Sequence, residues 1–244
     1  MGQDVSLFMK YATLCVLSFN RMDHLKRSLE SMWANTTYPH EIIIHDESDN
    51  VKIKNYITDL VNQKKISYAV LNGGRYMGVG HAMNCCLALS HGDYIFKLDC
   101  DLEYKPQWLE TTTRILDEDN TVGAVGLARY HEDPIDCKKM YSHTVKSITN
   151  PFKFEIHYDI YSAGIGFRRD TYKEIGKYRE YDEMFSEDIN YKLLMRKFGY
   201  DFALPIKDVA VNFALDKRSL NYFDNGQIKR KSINRNPLIF AKKI

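Results

Sequence analysis

The sequence predicts an α/β fold: a mainly parallel sheet flanked by helices, in a single domain with a basic C-terminal tail. Three observations predict it. Short apolar runs recur at 13–19, 41–45, 66–71, 94–98 and 122–127, and continuous runs of that length suit strands covered on both faces. Stretches of helical period lie between them. Polar residues gather just past the runs, where sheets of repeated βα units bind ligands at the carboxyl ends of their strands.

Each element has a local reason. After the strand at 13–19, Leu25, Leu29, Met32 and Trp33 stand at i, i+4, i+7 and i+8 and lay one helical face on the sheet. The second strand, 41–45, is rich in isoleucine and exits into Asp46, Glu47, Ser48 and Asp49; the third spans 66–71. A helix from Gly80 to Ser90 ends before Gly92, a C′ glycine, and returns the chain to the strand that ends at Asp99. Pro106 opens the next helix, where its missing N–H costs nothing, with Trp108, Leu109, Thr112, Ile115 and Leu116 on the buried side. A strand at 122–127 follows. From 129 to 157 the sequence is polar and aperiodic, and reads as a mobile excursion over the site. The signal resumes over 158–167 with Gly164 and Gly166. Ser186 reads as an N-cap with Glu187 and Asp188 in the first turn and Ile189, Leu193 and Leu194 below them, and Gly199 ends that helix. The domain therefore covers 1–215, and 216–244 is the tail.

Composition narrows the function classes. A chain of 244 residues has ample length for a core, and a net charge of +2 gives no case for an obligate nucleic-acid binder. The tail is locally basic, with Lys217, Arg218, Lys229, Arg230, Lys231, Arg235, Lys242 and Lys243, and offers a peripheral contact to an anionic or membrane surface. Five cysteines, an odd number without C-x-x-C spacing, argue against a zinc site or disulfide framework and for reduced thiols in the cytoplasm. No apolar run approaches the ~20 residues of a spanning helix, and the first residues lack the apolar stretch of a signal peptide. Gly2 with Ser6 fits the N-myristoylation pattern.

Chemistry enters at Asp99-Cys100-Asp101, a D-x-D pattern at a strand mouth. Side chains alternate along a strand, so Asp99 and Asp101 are expected on one face with Cys100 turned inward on the other. Paired carboxylates of this kind hold Mg²⁺ or Mn²⁺ together with substrate phosphates, which implies a phosphorylated co-substrate. The same pattern alone also describes solvated acids at a strand end.

Further motifs accompany it in order: Leu17-Ser18-Phe19-Asn20-Arg21, His45-Asp46-Glu47-Ser48, Asn72-Gly73-Gly74, Ala82-x-Asn84, Gly92-Asp93-Tyr94-Ile95, the helix start at Pro106, Gly164 to Arg169, Gly176 and Glu187-Asp188. In that order and spacing the chain resembles the family 2 glycosyltransferases of the Rossmann-like GT-A fold. The resemblance implies a nucleotide-sugar half over 11–128 and an acceptor half over 129–215. It implies that Ser18, Asn20 and Asp46 hold the nucleotide, Asp46 accepting from a base N–H, and that Arg75 and Asn84 reach the pyrophosphate or ribose. Asp101 would bind Mn²⁺ (or Mg²⁺) directly, and Asp99 would contact the ribose or a metal-bound water. The donor would be a nucleoside-diphosphate sugar, UDP being the commonest nucleotide among relatives. The acceptor would be a hydroxyl of a glycan, a lipid-linked molecule, a protein or a nucleic acid, selected by 129–157 and the tail.

For the inverting, hexosyltransferase-type reaction so implied, Asp188 is the candidate general base, favoured as an anion at the helix N-terminus. Glu187 would bind sugar or position Asp188. Two departures stand out: Asn212 occupies the position where relatives often supply a histidine to the metal, and His45 stands where an acid is common.

Three other readings compete. A dinucleotide-binding motif at Gly78-x-Gly80 has Met83 in place of its third glycine. A nucleotidyltransferase of the same fold would carry a glycine-rich basic loop where this chain has Ser18-Phe19-Asn20-Arg21. A catalytically degenerate binding module is disfavoured by the intact acids at Asp99, Asp101 and Asp188.

Overall fold

The computed structural model describes residues 10–128, 154–157, 160, 162–180, 186–207 and 209–213, the side chains of Ser186 and Glu187 excepted. In chain order the strands are β1 (Ala12–Ser18), β2 (His40–Asp46), β3 (Tyr68–Leu71), β4 (Tyr94–Asp99), β5 (Leu102–Tyr104), β6 (Val122–Gly126), β7 (Phe154–His157), β8 (Gly164–Arg168), β9 (Asp201–Pro205) and β10 (Ala210–Asn212). The helices are α1 (Met22–Asn35), α2 (Val51–Asn62), α3 (Val79–Leu89), α4 (Trp108–Glu118), α5 (Arg169–Ile175) and α6 (Ser186–Lys197).

Eight strands form one sheet in the order β3-β2-β1-β4-β8-β6-β9-β7, and β10 pairs with β5 beside it. The first four run parallel, β8 lies antiparallel between β4 and β6, and β7 closes the far side antiparallel to β9. The chain winds outward from β1 through β2 to β3, then returns to place β4 on the other side of β1. That reversal opens a crevice at the carboxyl ends of β1 and β4, the position at which open α/β sheets bind ligands.

Alternation of side chains splits the core into two layers. Leu14, Val16, Ile42, Ile44, Phe96 and Leu98 pack with Leu25, Leu29, Ile53, Ile57, Trp108 and Leu109 from α1, α2 and α4. Cys15, Ile43, Ile95 and Phe167 face the opposite way, onto Met83, Cys86, Ile175, Tyr191 and Met195 from α3, α5 and α6. Trp108 is fully buried, meets Phe96 edge to face at 5.6 Å, and donates its indole N–H to Thr36 Oγ1 at 2.7 Å.

Four details differ from the sequence expectation. Helix α2 carries Ile53, Ile57, Leu60 and Val61 at i, i+4, i+7 and i+8 behind an Asn50 cap that accepts from Lys52 N at 2.9 Å, a pattern the sequence reading passed over. Helix α4 begins at Trp108 rather than at Pro106, because Gln107 sits in the left-handed region at φ 61°. The polar stretch read as an excursion to 157 ends earlier. Phe154–His157 is strand β7, its Phe154 and Ile156 buried by alternation, while 129–153 lies outside the described residues. Helix α6 turns a different face inward: Asp188, Tyr191, Lys192 and Met195 are buried, whereas Ile189 and Leu193 are 52% and 55% exposed. Lys192 is accommodated there because its Nζ donates to Ile160 O at 2.8 Å. The proposed domain edge at 215 and the tail 216–244 also lie outside the described residues.

Gly166 on β8 admits no side chain, since a Cβ there would stand 2.2 Å from the Phe96 ring. Gly166→Ala is expected to lower stability by about 1–3 kcal/mol through overpacking, measured by urea denaturation. An unchanged midpoint would mean that the Phe96 ring has room to move.

Candidate active site

Three strand exits meet at the crevice. The chain leaving β1 passes through Asn20, held in the left-handed region at φ 55°, which asparagine tolerates better than most residues. Asn20 N donates to Ser48 Oγ at 2.7 Å, and Ser48 in turn donates from Oγ and N to the two oxygens of Asp46 at 2.7 and 3.1 Å. Ser18 and Asp46 are register partners on β1 and β2. Both are buried. Burial pushes the Asp46 carboxyl above its usual range, with the Ser48 hydrogen bonds opposing the rise.

Asp46 O accepts from Asn72 N at 2.9 Å, which seats the Asn72-Gly73-Gly74 turn beside β2. Arg75 is exposed at the end of that turn, where its carbonyl accepts from Asn72 Nδ2 at 2.9 Å. Asn84 is committed elsewhere: Nδ2 donates to Tyr178 O and Glu180 Oε1 at 2.9 Å each, and Oδ1 accepts from Tyr178 N at 3.0 Å. The sequence reading assigned no role to Glu47. It is buried, and its Oε2 accepts from Met77 N at 3.0 Å and Gly78 N at 3.4 Å. Burial pushes its carboxyl up to about 7.

The second half of the site lies beyond β4, and here the expected alternation fails. The strand stops at Asp99, Cys100 and Asp101 form a turn, and β5 starts at Leu102. Asp99 and Asp101 therefore have separate partners instead of sharing one strand face. Cys100 does turn into the core, as expected. Asp101 accepts from Arg21 at 2.7 Å on Oδ2 and from Asn212 Nδ2 at 3.1 Å on Oδ1. Phe213 N donates to Asp101 O at 3.1 Å and its ring packs on His24 and Arg27, so β10 closes over the turn.

Asp99 Oδ1 pairs with Lys97 Nζ at 2.8 Å. Lys97 is buried, and it also donates to Asp188 Oδ2 at 3.0 Å and to Ser162 O at 2.7 Å. Burial works against its ammonium, yet Asp188 and Asp99 outweigh that cost and hold its pKa above the ordinary lysine value. Burial pushes Asp99 up to about 7, with Lys97 as the main opposing influence. Asp188, from the first turn of α6, is buried and its Oδ1 has no partner among the described residues. The structure thus brings Asp99 and Asp188 to one ammonium that sequence reasoning missed. A lysine inside a buried apolar strand was the available signal, because lysine is almost never fully buried unless paired.

The oxygens of Asp99 and Asp101 are a hard donor set that fits Mg²⁺ or Mn²⁺. Asn212 presents its amide to the same carboxylate, and half a turn about its last bond would aim Oδ1 at a cation held there.

A mainly parallel sheet with a topological switch between β1 and β4, flanked by helices and with acids at the exit of β4, is the architecture of a GT-A glycosyltransferase domain. The model of glycosyl transferase family 2 matches residues 13–176, and the chain belongs to that family. A hyaluronan synthase from Pasteurella multocida is 29% identical over 129 residues, a match covering 51% of this chain and 13% of that protein. Among solved structures, a mannosyltransferase from Pyrobaculum calidifontis in complex with GDP-Man and Mn²⁺ aligns with a TM-score of 0.68 at 17% identity, covering 88% of this chain and 60% of that one. GalNAc-T7 with UDP, GalNAc and Mn²⁺ aligns at 0.64 and 14% identity, covering 81% and 42%, and TarS of S. aureus at 0.62 and 15%, covering 83% and 36%. The chain spans only part of each relative's length. Among the described residues, no helix is long and apolar enough to cross a membrane.

Lys97→Met is expected to lower stability by about 3–5 kcal/mol, because it leaves the buried Asp188, and the partly exposed Asp99 beside it, without their counter-charge. A double-mutant cycle with Asp188→Asn in urea should show coupling above about 1 kcal/mol. Strict additivity would mean that the ion pair contributes nothing to the fold.

Proposed function

We propose that this chain transfers a sugar from a nucleoside-diphosphate sugar, with UDP as the first nucleotide to test, to an acceptor hydroxyl with inversion at the anomeric carbon. The observation that carries the reading is the cluster at the exit of β4, where Lys97 joins Asp99 to Asp188 beside the Arg21–Asp101–Asn212 group. Family membership and two similar structures that hold Mn²⁺ with GDP-Man or with UDP and GalNAc support it.

In this reading Asp101 and Asp99 hold Mn²⁺ or Mg²⁺, with Asn212 as a weaker neutral ligand. The ion, when bound, offsets charge developing on the diphosphate leaving group. Ser18, Asn20 and Asp46 bind the nucleoside from the exits of β1 and β2, and Arg75, exposed at the end of the Asn72-Gly73-Gly74 turn, serves the pyrophosphate or ribose. Asn84 has the weaker claim, since Tyr178 and Glu180 occupy its amide. Lys97 fixes Oδ2 of Asp188, which leaves Oδ1 to accept the proton of the attacking hydroxyl. Glu187 binds sugar or positions Asp188. The acceptor is a hydroxyl on a glycan, lipid-linked molecule, protein or nucleic acid, chosen in 129–157 and the tail, whose basic residues offer a contact to an anionic surface. Cys15, Cys85, Cys86 and Cys100 are all free, which supports a cytoplasmic location.

Asp188→Asn is expected to cut transfer by about 10²–10⁴-fold while UDP and Mn²⁺ affinity move little. Asp101→Asn should weaken both binding and turnover, read by calorimetry with and without metal. Near-normal transfer by Asp188→Asn would remove it as the base, and equal nucleotide affinity in EDTA would remove the metal from the donor site.

A further inference from the structure

A second cluster of ligating side chains lies apart from these acids, between β2 and α3. His45, the penultimate residue of β2, is 1% exposed, and neither of its ring nitrogens has a hydrogen-bond partner among the described residues. A buried imidazole with both nitrogens unsatisfied is costly, and such groups in native structures call for an explanation. On α3, His81 and Cys85 stand four residues apart, so they share one face of the helix. His45, His81 and Cys85 each offer a ligand atom, and these atoms all lie within 4.8 Å of one another. Cys85 Sγ is 3.5 Å from His81 Nε2. A tetrahedral Zn²⁺ with bonds of about 2.3 Å to sulfur and about 2.05 Å to nitrogen sets those two ligands about 3.6 Å apart.

The surroundings of His81 fit the same chemistry. Its Nδ1 lies 3.3 Å from Glu180 Oε2, and Glu180 is held in turn by Asn84 Nδ2 at 2.9 Å. A carboxylate on the outer ring nitrogen is the usual partner of a metal-bound histidine; it fixes the tautomer that turns Nε2 toward the ion. This arrangement also accounts for the commitment of Asn84 to Glu180.

We propose that His45, His81 and Cys85 form a second metal site, of the zinc class, distinct from the oxygen-ligand centre at Asp99 and Asp101. Two imidazoles and a thiolate are a borderline-soft set that favours Zn²⁺, whereas carboxylates favour Mn²⁺ or Mg²⁺. As the Sγ–metal bond forms, the Cys85 thiol proton leaves to solvent, so the two neutral imidazoles and one thiolate leave the bound site with one positive charge. Water takes the fourth position. The absence of C-x-x-C spacing excludes a cysteine-rich zinc motif, but this site draws its ligands from two separate elements. A metal there ties the exit of β2, which continues into Asp46 and Glu47, to the first turns of α3. It would stiffen the loops that carry the nucleotide-binding residues without touching the diphosphate.

The test uses the full chain, stripped of metal by a chelator, reduced, and titrated with Co²⁺ in an excess of Mg²⁺ that fills the oxygen-ligand centre. The expected result is one equivalent of Co²⁺ bound with a thiolate-to-cobalt charge-transfer band in the near ultraviolet, displaced by Zn²⁺. Cys85→Ser should abolish the band, whereas Asp101→Asn and Cys137→Ser should retain it. Glu180→Gln alters a side chain that is half exposed and keeps an amide oxygen to accept from Asn84, and should weaken Zn²⁺ binding by about 10–100-fold. Absence of the band in the wild-type chain, its survival in Cys85→Ser, or unchanged Zn²⁺ affinity in Glu180→Gln would overturn the proposal.

Discussion

The Lys97 ammonium is withdrawn from water at the end of the central strand, and the arrangement around it depends on how that charge is satisfied. Desolvating an ion costs several kcal/mol, and an ammonium has three N–H donors to place. Three acceptors meet them, each from a different part of the chain: Asp99 Oδ1 at the end of β4, Ser162 O before β8, and Asp188 Oδ2 in the first turn of α6. The first turn of α6 is thereby fixed against β4 although the two are far apart in sequence. The same contact lets the buried Asp188 and the partly exposed Asp99 share one neighbourhood, since neither has to face the other without a cation between them.

Around that centre the strand exits divide the work by donor type. The β1 and β2 exits are joined by a web of backbone, hydroxyl and carboxylate groups through Asn20, Ser48 and Asp46. Past β4, Asp101 collects Arg21 from the start of α1 and Asn212 from β10, so residues from both ends of the described chain meet at one carboxylate. Behind β2 the side chains change to imidazole and thiol. Hard and soft ligand sets therefore sit in one domain without competing for the same ion.

Much of this was legible residue by residue. The run ending at Asp99 and the isoleucines of β2 announced parallel strands, because a strand covered on both faces must be apolar throughout. Leu25, Leu29 and Met32 gave α1 by period, and Ile53, Ile57, Leu60 and Val61 carried the same signal for α2, which was present and simply passed over. Helix α6 departs from its hydrophobic pattern for a physical reason. Ile189 and Leu193 were expected inward on hydrophobicity, but Asp188 and Lys192 take the buried face because each finds a partner there, and hydrogen bonding outweighed transfer free energy.

By itself, then, the sequence determined the alternation that makes strands and helices, the order of motifs along them, and through that order the family. These are local properties, carried by residues a few positions apart. Tertiary structure alone decided which acids share a counter-ion, that Asp99 and Asp101 part company at a turn, that Asn84 serves Glu180, and that His45 meets His81 and Cys85. Those are contacts between side chains that lie far apart along the chain, Lys97 and Asp188 being separated by 91 positions, and no local period encodes a pairing at that range.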